Sequence, residues 1–336
     1  MKDLFPKKHF ESWQKAVEQS RKIVLATHVN PDGDAIGALM GLGLFLKKEG
    51  FEVTLVSPTR YPAFLSFLDP GKEIVVYSLN SKASAHAIEE ADMIVALDVS
   101  SFSRIDELGK IMKQARGYKV LMDHHTDPAS REFDLVFSTT QISSTCELTY
   151  RVLKAWKEDA VFSKDQATAF LAGIITDTNQ FANSVYPGTF RVTSELVAFG
   201  ADTEFIYDRI YRNFSYNRMR LMGYALQNIR LLPEFKCGYI VLPRDVLEKF
   251  GYSNGDTEGF VNLPLAINGI SVSAFFLQRG DHIKVSLRSK GNIPVNGIAR
   301  EFYQGGGHLN ASAGKMEDST ENIEPLLKKA LGTIIA

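Results

Sequence analysis

Short β-branched apolar runs alternate with amphipathic stretches through the first two-thirds of the chain. Ile23 to Ala26, Phe51 to Val56, Met93 to Leu97 and Tyr118 to Met122 each read as a strand. Between the first two, Ala35 to Glu49 places Ile36, Leu39, Leu42 and Leu46 on one helical face. Gly41 and Gly43 fall inside this helix rather than in a strand-to-helix turn. They suit close helix–sheet packing better than a dinucleotide fingerprint. Apolar strands separated by helices predict βαβ units, and hence a parallel sheet with helices on both faces.

Ser144-Thr145-Cys146-Glu147 has the spacing of a capping box and predicts a helix to about Trp156. Further helices are expected over Lys164 to Ile175 and Val192 to Phe199, with Gly200 as the C-cap of the latter. Residues 202–230 read as helical and charged. After Pro233 the texture changes: Gly238 to Leu242 looks like a strand, and Ser271 to Gln278 and His282 to Ser289 flank Gly280-Asp281 as a hairpin. Helices follow over Val295 to Tyr303 and Glu321 to Leu331. The pattern divides the chain into an α/β domain over 1–200, a helical connector over 201–235 and a smaller α+β domain over 236–336.

A chain of 336 residues has room for two such domains, at roughly 150 residues each. With 45% apolar and 23% charged residues it is globular rather than disordered. The 38 basic and 39 acidic residues leave a net charge of -1, which disfavours long duplex nucleic acid as a partner. Cys146 and Cys237 form neither a metal spacing nor a disulfide framework, as suits a reducing compartment. The opening MKDLFPKKHFESW lacks the apolar core of a signal peptide, and the longest apolar run, Ala35 to Leu46, is too short to span a bilayer. The expectation is a cytoplasmic protein with no membrane partner.

Candidate chemistry gathers where the strands end. The first runs into Thr27-His28-Val29-Asn30-Pro31-Asp32-Gly33-Asp34, the third ends at Asp98, and the fourth at Asp123-His124-His125. Ligands of open α/β sheets bind beyond the carboxyl ends of the strands, so these groups should converge, and Asp177 at a helix end can join them. Singly, an Asp-Gly-Asp is usually a turn and a His-His pair occurs by chance. Their joint placement is what argues for a site. Carboxylates with imidazole and no thiolate suit Mn²⁺, Mg²⁺ or Fe²⁺. Six or more ligands exceed the needs of one ion, and two ions sharing an Asp suit in-line phosphoryl displacement. In the second domain, Gly305-Gly306-Gly307-His308 reads as a turn whose amides can face an anion, and Arg288 can make a bidentate phosphate contact.

These motifs, in this order, resemble the DHH phosphoesterase superfamily, for which Asp123-His124-His125 is the naming triplet. Gly306-Gly307-His308 is similar to the signature of the DHH-associated C-terminal domain, and the resemblance covers essentially the whole chain. It is strongest toward the bifunctional oligoribonuclease and 3′-phosphoadenosine 5′-phosphate phosphatase group. The resemblance implies two Mn²⁺-type sites, one of His28, Asp32 and Asp98, the other of Asp34, Asp98, His124 and Asp177. Asp123 would orient a neighbouring ligand, and His125 would face the scissile phosphate. Arg288, Gly306, Gly307 and His308 would hold the far end of the substrate from the second lobe, across a cleft. The implied substrates are short single-stranded 5′-phosphorylated oligonucleotides or phosphorylated nucleotides; a homodimer is compatible with the resemblance. Polyphosphate hydrolysis, cyclic-dinucleotide hydrolysis and non-enzymatic nucleotide binding are the competing readings. Asn179 stands where the family commonly has Gly, and Asn tolerates left-handed backbone.

Overall fold

The computed structural model describes residues 4–334, apart from the side chain of His308. The chain divides into two compact units, Met1–Asn213 and Phe214–Ala336.

Six strands form the sheet of the first unit: β1 (Lys22–Ala26), β2 (Glu52–Ser57), β3 (Ile74–Val76), β4 (Met93–Leu97), β5 (Tyr118–Asp123) and β6 (Leu135–Ser138). All pair in parallel in the order β3-β2-β1-β4-β5-β6, so the direction of winding reverses between β1 and β4. Among the described residues eight α-helices accompany them: α1 (Lys7–Glu18), α2 (Gly33–Lys48), α3 (Ser81–Glu89), α4 (Glu107–Gln114), α5 (Thr145–Trp156), α6 (Lys164–Asp177), α7 (Pro187–Ala198) and α8 (Thr203–Tyr211). Strand residues alternate between two cores. Ile23, Leu25, Val95 and Met122 pack with α1, α2, α5 and α6, whereas Val24, Ala26, Ile94 and Leu121 pack with α3 and α4. Both faces are covered, which is why the strands read as continuous apolar runs.

Helix α2 is buried along nearly its whole length and lies against both the sheet and α6. A Cβ on Gly37 would meet the Ala169 carbonyl oxygen at 2.5 Å, and one on Gly41 the Phe170 ring at 2.5 Å. Gly43 faces Leu55 of β2. Of the two glycines expected to serve helix–sheet packing, Gly41 therefore serves helix–helix packing.

The helical stretch expected over 201–235 is shared between the units. Ile206 and Ile210 of α8 pack into the first core, while Leu221 and Ala225 of α9 (Tyr216–Gln227) pack with Ile240 and Phe275 of the second unit. The second unit carries β7 (Arg230–Leu232), β8 (Cys237–Leu242), β9 (Val272–Arg279), β10 (His282–Ser289), β11 (Gly306–His308) and β12 (Ala311–Met316) in the order β11-β12-β10-β9-β8-β7. Only β8 and β9 run parallel. Alongside lie α10 (Arg244–Lys249), α11 (Val295–Phe302) and α12 (Ile323–Leu331). The expected hairpin about Gly280-Asp281 is present as β9–β10.

The triple glycine is not a turn. Gly306 and Gly307 open the edge strand β11, paired with Ala313 and Ser312 of β12. At the two flanking glycines side chains are excluded: a Cβ on Gly305 would lie 2.0 Å from the Ala313 carbonyl oxygen, and Gly307 adopts φ +137°, where a Cβ would lie 2.5 Å from the Ala311 carbonyl oxygen.

Candidate metal centre

The carboxyl ends of β1, β4 and β5 bring the sequence-derived ligands together. Three overlapping groups each place one donor atom per residue within 4.8 Å of the others: His28, Asp32 and Asp98; Asp34, His124 and Asp177; and Asp98, His124 and His125. Asp98 and His124 each belong to two of them. Asp98 Oδ2 lies 3.4 Å from His28 Nε2, and its Oδ1 lies 3.7 Å from His124 Nε2. His124 Nε2 is also 3.4 Å from Asp177 Oδ2 and 3.9 Å from Asp34 Oδ2.

Local backbone fixes each side chain. Asp32 is the N-cap of α2 and accepts from the Asp34 and Ala35 N–H groups. Asp34 follows in the first turn, buried against α5 and α6. Asp98 leaves β4 in a left-handed conformation, φ +59°, while its N–H still donates to the Met122 carbonyl of β5. Asp123 ends β5, and its Oδ1 accepts from His125 Nδ1 at 2.7 Å, so the neighbour it orients is His125. His28 Nδ1 donates to the Val29 carbonyl at 3.0 Å, which leaves Nε2 on the Asp98 side. Beyond Asp177, Asn179, Gln180 and Phe181 all have positive φ, so the position where Gly is common in the resembled family is left-handed here too.

The sequence pattern gave no sign of the donors that hold Asp34. Helix α5 points its first amides at this carboxylate: Thr145 N–H donates to Oδ2 at 2.7 Å and Cys146 N–H to Oδ1 at 2.9 Å. The Thr145 hydroxyl donates to Asp98 Oδ1 at 3.0 Å. Ser144 caps α5 as expected, accepting from Glu147 N–H, but the reciprocal half of the box is absent. Glu147 is fully buried and accepts instead from the Ser143 N–H and hydroxyl and the Thr189 hydroxyl. A Ser-x-x-Glu spacing announces the helix start. Backbone donors carry no side-chain identity, so nothing in the sequence announces their target.

Electrostatics test whether these residues fit a cation. Burial, then the charge of Asp98, pushes Asp34 up to about 6. Burial and the neighbouring charges of Asp34, Asp32 and Asp98 also raise Asp177 well above the carboxylate range. Burial would raise Asp98 as well, but His28, His125 and His124 outweigh it and hold Asp98 well below that range. On His28 burial is outweighed by the hydrogen bond and charge of Asp98, and the ring is raised to about 9. Cys146 is pushed far up by burial and by Asp34, and its Sγ donates to the Asp34 carbonyl oxygen, so no thiolate competes. Asp123 Oδ2 is buried with no hydrogen-bond partner among the described residues. Carboxylates crowded until they resist ionisation, beside imidazoles and without thiolate, fit hard divalent ions.

Known proteins resemble this chain over most of its length. The DHH family N-terminal domain matches residues 22–174, and the DHHA1 domain matches residues 237–336. A bifunctional oligoribonuclease and PAP phosphatase (NrnA) from Thermus thermophilus is 32% identical, over 90% of this chain and 86% of its own. The chain belongs to the DHH family. Its Bacillus subtilis relative of the same name is 30% identical, covering 86% of this chain and 88% of that protein. The crystal structure of an exopolyphosphatase-related protein from Bacteroides fragilis superposes with a TM-score of 0.96 at 36% identity, covering 99% and 98% of the two chains. As a DHH protein the chain is a hydrolase of phosphoester bonds. No helix among its described residues is long and apolar enough to cross a membrane.

Proposed function

We propose that this DHH protein hydrolyses short 5′-phosphorylated oligonucleotides to mononucleotides, and 3′-phosphoadenosine 5′-phosphate to AMP, at a two-ion centre of the Mn²⁺ type. The position of Asp98 carries the reading: it groups with His28 and Asp32, while its Oδ1 lies 3.7 Å from His124 Nε2 of the Asp34, His124 and Asp177 group, as suits a carboxylate between two ions. The names of the two relatives, each matched over more than four-fifths of its length, support the substrate class. His28, Asp32 and Asp98 would hold one ion, and Asp34, Asp98, His124 and Asp177 the other. Mg²⁺ or Fe²⁺ would fit the same donors. Bound divalent ions would supply Lewis acidity and neutralise charge on the phosphate oxygens.

The chain's own groups do the rest. Asp123 accepts a hydrogen bond from His125 Nδ1–H and fixes the orientation of the ring. Although burial opposes it, that bond and the charge of Asp98 raise the pKa of His125. A charged His125 is thereby suited to donate to a phosphate oxygen or to the departing hydroxyl. Water adds to phosphorus, the phosphoester P–O bond breaks, and the released oxygen takes a proton. In the second unit Arg288 lies on β10, its Nη1 donating to the Leu287 carbonyl; cross-strand neighbours are Ser273 and Ala311, the latter opposite His308. Arg288, Gly306, Gly307 and His308 are assigned the substrate's non-reacting end.

A substrate series tests the reading. With Mn²⁺, 5′-phosphorylated di- to pentanucleotides should release mononucleotides, and 3′-phosphoadenosine 5′-phosphate should release phosphate. Turnover confined to polyphosphate or cyclic di-AMP in the same assay would overturn it. Arg288→Ala should raise KM about tenfold or more while Mn²⁺ binding is retained, because a charge-assisted phosphate contact is worth roughly 1.5–3 kcal/mol. An unchanged KM would remove Arg288 from substrate binding.

A further inference from the structure

We propose that Thr145 is a positioning residue that fixes Asp34 and the shared Asp98 relative to each other, so that its hydroxyl sets the affinity of the centre for divalent ions. This rests on the metal reading above and adds to it a residue outside the ligand set.

The geometry is specific to Thr145. Its N–H donates to Asp34 Oδ2 at 2.7 Å and its hydroxyl to Asp98 Oδ1 at 3.0 Å. One fully buried residue therefore bridges a carboxylate in the first turn of α2 and another at the end of β4. Two nearby threonines behave differently: the Thr176 hydroxyl donates back to the Ala172 carbonyl of its own helix, and that of Thr178 to the Ile174 carbonyl. This is the usual fate of a helical hydroxyl. Thr145 is the first residue of α5, and its hydroxyl reaches across 47 positions of sequence instead. Ser144 and Glu147 brace the start of this helix, so the donor is held and not merely available.

A hydroxyl in this place occupies one lone pair of Asp98 Oδ1, which selects the directions in which the remaining lone pairs can meet a cation. The backbone donation to Asp34 survives any side-chain change, so substitution isolates the hydroxyl.

The test is Mn²⁺ titration of the full chain, with free Mn²⁺ read by electron paramagnetic resonance and no substrate present. Thr145→Val, which keeps the shape and removes the donor, should weaken Mn²⁺ binding on the order of 10–100-fold. Thr145→Ala should behave likewise and carries the comparison if the Val variant fails to melt cooperatively in chelator. Thr145→Ser should bind close to the parent. A Val or Ala variant binding as tightly as the parent would overturn the proposal, as would a Ser variant weakened as much as they are. A merely structural Thr145 would lower the melting temperature without separating Ser from Val and Ala in affinity. Failure of the parent chain itself to bind Mn²⁺ would instead overturn the metal reading on which the proposal rests.

Discussion

Asp98→Asn should lower metal-dependent hydrolysis by about three orders of magnitude or more, with the chain still folded. Loss of a mere supporting contact around a metal costs about 10–100-fold. Asp98 belongs to two of the three ligand groups, so its loss should cost more than either group alone would suggest. Asn is the informative replacement because the backbone at this position is left-handed, φ +59°, which Asn tolerates and most other residues resist. Its amide oxygen can still accept from the Thr145 hydroxyl, so the change removes the charge and puts an amide NH2 where Oδ2 faces His28. Steady-state rates in Mn²⁺, paired with thermal melts, decide the matter. A near-normal rate would show that Asp98 is not a shared ligand.

The second large effect is expected from a residue with no side chain at all. A Cβ on Gly173 would lie 2.2 Å from Cys146 Sγ and 3.0 Å from Asp34 Oδ1. Cys146 cannot easily retreat, because its N–H is committed to Asp34. Gly173→Ala should therefore destabilise the chain by about 2 kcal/mol, overpacking of up to about 3 kcal/mol being offset by about 1 kcal/mol of helix propensity. Urea denaturation reads the loss. Adding Cys146→Ala to the same chain should recover part of it, since the nearest clashing atom is then gone. A single variant as stable as the parent would mean that α5 and α6 yield at this contact more readily than their packing implies.

Much of the first unit was legible because its strands are buried on both faces. Continuous apolar runs ending in Asp98 and Asp123 marked both the sheet and its functional edge. Other elements escaped for identifiable reasons. Strands β3 and β6 are short and only partly buried, so they carry little pattern. Helix α7 begins at Pro187, five positions before the expected Val192, because Pro suits the first helical turn although it signals a break elsewhere. The Gly305–Gly307 run misled in the opposite direction. Flexibility suggested a turn, whereas Gly305 and Gly307 are needed for close approach to β12. At the site, every ligand type was visible as a side chain. The Thr145 and Cys146 amides were not, because any residue at the start of α5 would present the same N–H groups.

The candidate ligands have one further property in common, which concerns the making of the protein. They run from His28 to Asp177, drawn from the ends of β1, β4, β5 and α6 and the first turn of α2. No contiguous fragment of the unit shorter than that span contains all three candidate ligand groups, and contacts of such sequence separation are entropically costly to close. During synthesis the centre cannot be completed until α6 has emerged. A cation held by Asp34, His124 and Asp177 would therefore not guide the early stages of folding. It would act as a seal on the finished domain, its stabilisation reserved for chains in which the sheet has already assembled.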